Sequence, residues 1–247
     1  MHPLLFSIGG FELYSYGLLM ALGVLAGLKV VDQEAIRLGW NRDQMTRLVV
    51  VTFLMGLLGS RVVYVLTRLN DPTVNIWEVA FNLRAGFVFY GGLGASWLYL
   101  VIYLWRRALP FWSVIDAFSL SICIGLAVGR IGCLLGGCCF GSPTDLPWGV
   151  IMEKDRALGH LHPVQLYEFI FLVILFIALW AKRLRKSYDG QITVLFVGIY
   201  CIGRYILEFW RGDLIRGYLI EDILSTSQFI SLLFLPIVIG LHFSLRK

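Results

Sequence analysis

Three arginines, Arg61, Arg130 and Arg204, lie inside stretches otherwise apolar enough to cross a lipid bilayer. A guanidinium in hydrocarbon costs roughly 2.5–3.5 kcal/mol on insertion scales, so each needs a partner or a task. Its planar fork and permanent charge suit a phosphate, which it can hold bidentately. Around Arg204 the spacing of Glu208 and Arg211 is i, i+4, i+7, which predicts one helical face. Gln165 and Glu168 share the face of another helix, just after His162. Arg130 opens a second unusual stretch, GRIGCLLGGCCFG over 129–141, where it is flanked by Gly129 and followed by Cys133, Cys138 and Cys139.

The elements that must position these groups are membrane helices. The chain has 247 residues, 58% hydrophobic and 15% charged, with a mean hydropathy of +0.78, well outside the range of ordinary soluble domains. A bilayer core needs roughly 20 apolar residues per helix. Seven such runs are predicted, at 13–31, 46–67, 86–105, 112–131, 164–181, 191–209 and 225–243. The fold class expected is therefore all-α, one transmembrane domain over 1–247, with outer excursions at 68–85 and 132–163 and a short charged loop at 32–45. The alternating dyads of an outer-membrane barrel are absent. The first 30 residues lack the basic start and small-residue cleavage site of a cleaved signal peptide, so the first span is expected to stay.

A net charge of +5 and a pI near 9.0 would suit nucleic acid, but topology explains the basic residues better. Lys29, Arg37, Arg42, Arg47, Arg106, Arg107, Lys182, Arg183, Arg185, Lys186, Arg246 and Lys247 fall on one face. Arg68, Arg84, Lys154, Arg156, Arg211 and Arg216 fall on the other. This bias places the N-terminus outside and the C-terminus in the cytoplasm. Arg61, Arg130 and Arg204 then end their spans toward the outer leaflet. Tyr16, Tyr90, His162, Gln165 and Glu168 begin theirs at the same height. The glycine pairs Gly91-Gly92 and Gly136-Gly137 would let backbone approach a ligand. The expectation is a polar cavity open to the outer leaflet, with a cationic floor for a phosphate.

The motifs GRIGC, HPVQLYE and GRYILEFWRGD, with YGGLGA and YSYGLLM opening two spans, resemble the prolipoprotein diacylglyceryl transferase family from about Tyr14 to Gln228. The resemblance implies a multi-pass enzyme of the bacterial inner membrane that moves the diacylglyceryl group of phosphatidylglycerol onto the lipobox cysteine thiol of a preprolipoprotein. A thioether forms and glycerol phosphate leaves. The partners implied are phosphatidylglycerol, preprolipoprotein signal peptides and membrane lipids, with no nucleic acid, no metal and no organic cofactor. Attack by thiolate on a phosphodiester assigns Arg130 and Arg204 to the phosphate, with Glu208 holding Arg204. Tyr16, Arg61, Gly91, Gly92, Gly129, Gln165, Glu168 and Arg211 form the surrounding substrate site.

Two positions depart from the family pattern. Tyr90 stands where the family usually has histidine, which leaves the thiol-activating base open among Tyr90, His162 and Glu168, with Tyr90 alternatively only positioning the headgroup. Cys133 and Cys138 stand where asparagine and glutamate are usual. The five cysteines lack the paired spacing of a zinc motif and are read as small packing residues, with a disulfide or a metal site as alternatives. A member that only binds phospholipid or lipoprotein, or a transporter of anionic lipid, are the rival functions; a transporter would need polar groups through both halves of the bundle.

Overall fold

The computed structural model describes residues 4–8, 11–69, 77, 86–212, 218–220 and 224–246. Helices form at all seven predicted places: α1 Ser15–Leu38, α2 Arg42–Thr67, α3 Phe89–Arg106, α4 Phe111–Gly136, α5 Val164–Lys182, α6 Gln191–Leu207 and α7 Thr226–Leu245. Among the described residues, six of them are long and apolar enough to cross a membrane. The exception is α3. Its 18 residues include Tyr90, Gly91, Gly92, Gly94, Tyr99 and Tyr103, so its composition alone does not mark it as a span.

Among the described residues, the fold is helical apart from three short antiparallel hairpins. These are β1 Leu4–Ile8 with β2 Phe11–Tyr14, β3 Val150–Ile151 with β4 His160–Leu161, and β5 Tyr218–Ile220 with β6 Leu224–Ser225. Each hairpin leads directly into a helix, α1, α5 or α7.

Two predicted boundaries move. The loop expected at 32–45 shrinks to 39–41, because α1 continues to Leu38 with Glu34 and Arg37 paired three residues apart. Gly39 then turns at φ +70°, and Asn41 caps α2 by accepting from the Gln44 N–H at 2.9 Å. The excursion expected from 132 begins only after Gly136, since IGCLLG continues the α4 helix. The excursion at 68–85 lies mostly outside the described residues, as do Arg84, Arg216 and Lys247.

The chain divides into two compact units, one of 1–30 with 115–247 and one of 31–114. In the smaller unit α2 and α3 pack through small residues, the means by which membrane helices approach closely. A Cβ on Gly91 would lie 2.7 Å from the Gly59 carbonyl oxygen, and one on Gly92 2.8 Å from that of Gly56. The Ser96 hydroxyl donates to the Thr52 carbonyl across the same seam at 3.0 Å.

In the larger unit the buried core is Leu120, Cys123 and Ala127 of α4, Leu172, Leu175 and Leu179 of α5, and Ile192 and Phe196 of α6, with Val30 of α1. Where α6 begins, its exposed N–H groups find a partner from another helix. Buried Asp116 of α4 accepts from the Gly190 and Thr193 N–H groups, both at 2.9 Å, and from the Thr193 hydroxyl at 2.8 Å. Lys186 completes it at 3.1 Å. The carboxylate does across space what a local cap residue would do.

Candidate functional site

At the other ends of the same three helices a second polar group gathers. Arg130 Nη2 of α4 pairs with Glu168 Oε1 of α5 at 2.8 Å, and the Tyr200 hydroxyl of α6 donates to the same oxygen at 3.1 Å. Arg204 Nη2 of α6 pairs with Glu208 Oε2 at 2.7 Å and donates to the Ser227 hydroxyl of α7 at 3.3 Å. Gln165 Nε2 donates to the Cys138 carbonyl at 2.7 Å, tying α5 to the loop after α4. Glu168 and Gln165 are each only 1% exposed.

This alters the expected cationic floor. Arg130 and Arg204 each have a carboxylate, so their charges are matched. Gln165 Oε1, Glu168 Oε2 and Arg204 Nη1 are among the buried atoms here that have no hydrogen-bond partner. A buried polar atom left unpaired costs about 1–3 kcal/mol. Two orphan acceptors and one orphan cationic donor are what a ligand with hydroxyls and an anionic group would complete.

Arg211 does not share the α6 face with Arg204 and Glu208. The helix ends at Leu207, a 3-10 turn follows over Glu208–Trp210, and Arg211 is extended at φ −86°, ψ 134°. The cause is a clip formed by the loop after α4. Gly141 N–H donates to the His162 carbonyl at 2.9 Å, His162 N–H to the Ser142 carbonyl at 3.0 Å, and Ser142 N–H to the Trp210 carbonyl at 2.9 Å. Gly141 also forms an antiparallel bridge with Arg211. A Cβ on Gly141 would fall 2.5 Å from both His162 Cβ and the Trp210 carbonyl oxygen, so only glycine lets the three segments meet.

His162 is held by this clip at a cavity of about 510 Å³ lined by Leu146, Trp148, His162, Tyr167, Leu207 and Trp210. Its Nδ1 lies 3.2 Å from the Tyr167 hydroxyl, which accepts the Trp148 indole N–H at 2.8 Å. Trp148, Tyr167, Tyr200, Trp210 and Ser227 were absent from the residues picked out by sequence. Tyr167 and Trp210 lie within HPVQLYE and GRYILEFWRGD, so those motifs held a signal; Trp148, Tyr200 and Ser227 had none.

Tyr16 of α1 packs against α4, with its ring edge 3.3 Å from where a Gly132 Cβ would stand. A Cβ on Gly129 would meet nothing within 4 Å, so packing does not account for glycine there. Cys123 and Cys201 are buried packing residues, and Cys123 Sγ donates to the Leu172 carbonyl at 3.5 Å. Cys133, Cys138 and Cys139 are free thiols. Hydrogen bonds from Cys133 and Cys138, and behind them the Arg211 and Arg130 guanidiniums, hold the Cys139 thiol well below its ordinary range.

The remaining candidates form a group of their own in the smaller unit. Arg61 Nη1 donates to the Gly86 carbonyl at 3.0 Å, and its guanidinium lies 5.5 Å and 5.6 Å from the Tyr64 and Phe87 ring centroids. Together with the Val88 N–H to Ser60 carbonyl bond at 3.1 Å, it anchors the chain where α3 starts. Tyr90, one residue into α3, is 63% exposed. Gly91 and Gly92 face α2, so close helix packing is itself a reason for glycine at both places.

The family model described as prolipoprotein diacylglyceryl transferase matches residues 3–244. A phosphatidylglycerol–prolipoprotein diacylglyceryl transferase of Clostridium tetani (strain Massachusetts / E88) is 36% identical over 98% of this chain and 96% of its own length. One from Clostridioides difficile (strain 630) is 31% identical over 86% of this chain and 84% of its own. A third, from Clostridium perfringens (strain 13 / Type A), is 32% identical over 95% of this chain and 92% of its own.

Proposed function

Because the chain belongs to the prolipoprotein diacylglyceryl transferase family, we propose that it transfers the diacylglyceryl group of phosphatidylglycerol to the lipobox cysteine thiol of a preprolipoprotein. The observation that carries this reading is the set of orphan atoms on Gln165 and on the two arginine–carboxylate pairs. Arg204 Nη1 supplies a free donor to the phosphate, and Arg130 approaches from α4. Glu168 and Glu208 hold the two forks in place. Gln165 Oε1 and Glu168 Oε2 accept from the two hydroxyls of the headgroup glycerol.

The step is a displacement at carbon. The thiol loses its proton, the thiolate attacks the glyceryl CH2, the C–S bond forms as the C–O bond breaks, and the electron pair leaves with glycerol phosphate. Charge accumulates on the phosphate oxygens, where preorganised donors act most strongly in a site poor in water. His162 is the proton acceptor in this scheme. Its placement is supported by Tyr167 and Trp148, since with Nδ1–H donated to the Tyr167 oxygen the Nε2 lone pair is free.

The same reading sets the membrane arrangement. Helix α3 crosses as a seventh span, the N-terminus lies outside, the C-terminus is cytoplasmic, and the site opens to the outer leaflet of the inner membrane. The bias of basic residues supports it, as does the position of the three hairpins, each before a helix that would run inward. Labelling of single cysteines placed at 157 and 185 by an impermeant reagent checks the arrangement: the first should react from outside and the second should not.

For the reaction, purified protein is given phosphatidylglycerol and a lipobox peptide. The peptide should gain one diacylglyceryl mass with release of glycerol phosphate, and its Cys-to-Ser analogue should stay unmodified. No product, in an assay where a verified transferase works, removes the enzyme reading.

A further inference from the structure

The cysteines that depart from the family pattern converge. The sulfurs of Cys133, Cys138 and Cys139 all lie within 4.8 Å of one another, and no other group of three or more such ligand residues gathers among the described residues. The local backbone explains why. Gly137 sits at φ +68°, its N–H donates to the Leu134 carbonyl at 3.2 Å, and the Cys138 N–H donates to the Cys133 carbonyl at 3.1 Å. These two bonds are the Schellman ending of a helix, which folds the residue after the left-handed glycine back over the last turn. The side chains such an ending brings together are those of Cys133 and Cys138. Cys139 then takes φ +65° itself, an uncommon conformation for a residue with a side chain.

We propose that Cys133, Cys138 and Cys139 bind a single thiophilic cation of the Zn2+ class as three thiolates, leaving a fourth coordination position open. Zn–S bonds of about 2.3 Å in tetrahedral geometry place sulfurs about 3.8 Å apart, so the three need close by no more than about an ångström. Cys138 is exposed and the other two are partly so, giving an ion access. Three thiolates around a dication leave one negative charge, which suits the guanidiniums of Arg130 and Arg211 that act on the cluster. Gln165, through the Cys138 carbonyl, fixes the loop that carries two of the three ligands.

Three protein ligands with a vacant position is the arrangement of reactive rather than purely structural zinc sites. Its use here rests on the transfer reaction proposed above. A dication held by Cys133, Cys138 and Cys139 would lower the pKa of an acceptor thiol at the open position, and the thiolate would then displace glycerol phosphate at carbon as in the scheme above.

The test uses purified full-length protein with its thiols reduced, titrated with Co2+ in place of Zn2+. A sulfur-to-cobalt charge-transfer band should saturate at one ion per chain and disappear when Zn2+ displaces it. Cys133→Ser, Cys138→Ser and Cys139→Ser should each lose it, whereas Cys123→Ser and Cys201→Ser should keep it. Cys138 is exposed, so its variant reports on binding with the fold intact, checked by the thermal unfolding midpoint. No band, or one that survives the three replacements, overturns the site; so does a protein two hydrogens lighter than the reduced chain as purified, which marks a disulfide instead. Adding a lipobox peptide should shift the band and its Cys-to-Ser analogue should not; an unmoved band overturns the open position. Cobalt binding is read without turnover, so failure of transfer with the band present removes the proposed function and leaves the metal site standing.

Discussion

The larger unit carries two buried polar clusters built on the same three helices, and they differ in how completely they are satisfied. At the end where α4 begins and α6 begins, Asp116 takes two backbone N–H groups, a hydroxyl and an ammonium. The charge is consumed in closing a helix end. At the end where α4 and α6 finish, Arg130, Glu168, Arg204 and Glu208 pair off, yet Gln165 Oε1, Glu168 Oε2 and Arg204 Nη1 remain without partners. Burial and charge are common to both clusters. What sets apart the second cluster, which we propose as the binding site, is its unfinished hydrogen bonding.

That contrast breaks or sharpens under substitution. Asp116→Ala strands four donors; breaking a buried ionic group of this kind costs about 3–5 kcal/mol. The expected result is a clearly lowered thermal midpoint in detergent, with turnover per folded molecule unchanged. Loss of turnover without loss of stability would erase the distinction between the two ends.

Arg204→Lys keeps the charge and removes the fork. Loss of one preorganised donor to a developing anion lowers rates by about 100- to 1,000-fold, so transfer to a lipobox peptide should fall by that order while the midpoint stays near the parent's. A variant retaining most of its turnover would place Arg204 with Asp116 as a structural charge.

Gly141→Ala acts on neither cluster directly. It forces a methyl group against His162 and the Trp210 carbonyl, and overpacking of this kind costs about 1–3 kcal/mol. Both midpoint and turnover should drop together, since the clip positions His162 and Arg211 alike. The smallest effect is expected from Tyr167→Phe. Losing the hydroxyl shared by Trp148 and His162 removes about 1 kcal/mol of hydrogen bonding, so turnover should fall by no more than about fivefold, with a small drop in thermal midpoint.

How much of this could be read from residues alone depended on distance along the chain. The Arg204–Glu208 pair is one helical turn and was predicted from its i, i+4 spacing. Arg211, three residues further, was predicted on the same face and is not, because the clip through Gly141 ends the helix first. Gly91 and Gly92 were read as room for a ligand, and their packing against α2 is a second reason for glycine that periodicity does not reveal. That Cys133, Cys138 and Cys139 meet could not be read from their spacing for the same cause, since it depends on a left-handed turn at Gly137 that ends the helix.

Composition and hydropathy by themselves determined a helical membrane protein and the positions of its helices, because a bilayer demands apolar runs of one length. The motifs determined the family. Tertiary structure alone decided which carboxylate meets which arginine across helices, that Asp116 caps α6, that His162 rests on Tyr167, and that three thiols share one place. Those pairings depend on how helices rotate against each other and where each one stops, and both are settled by packing between residues far apart in the chain.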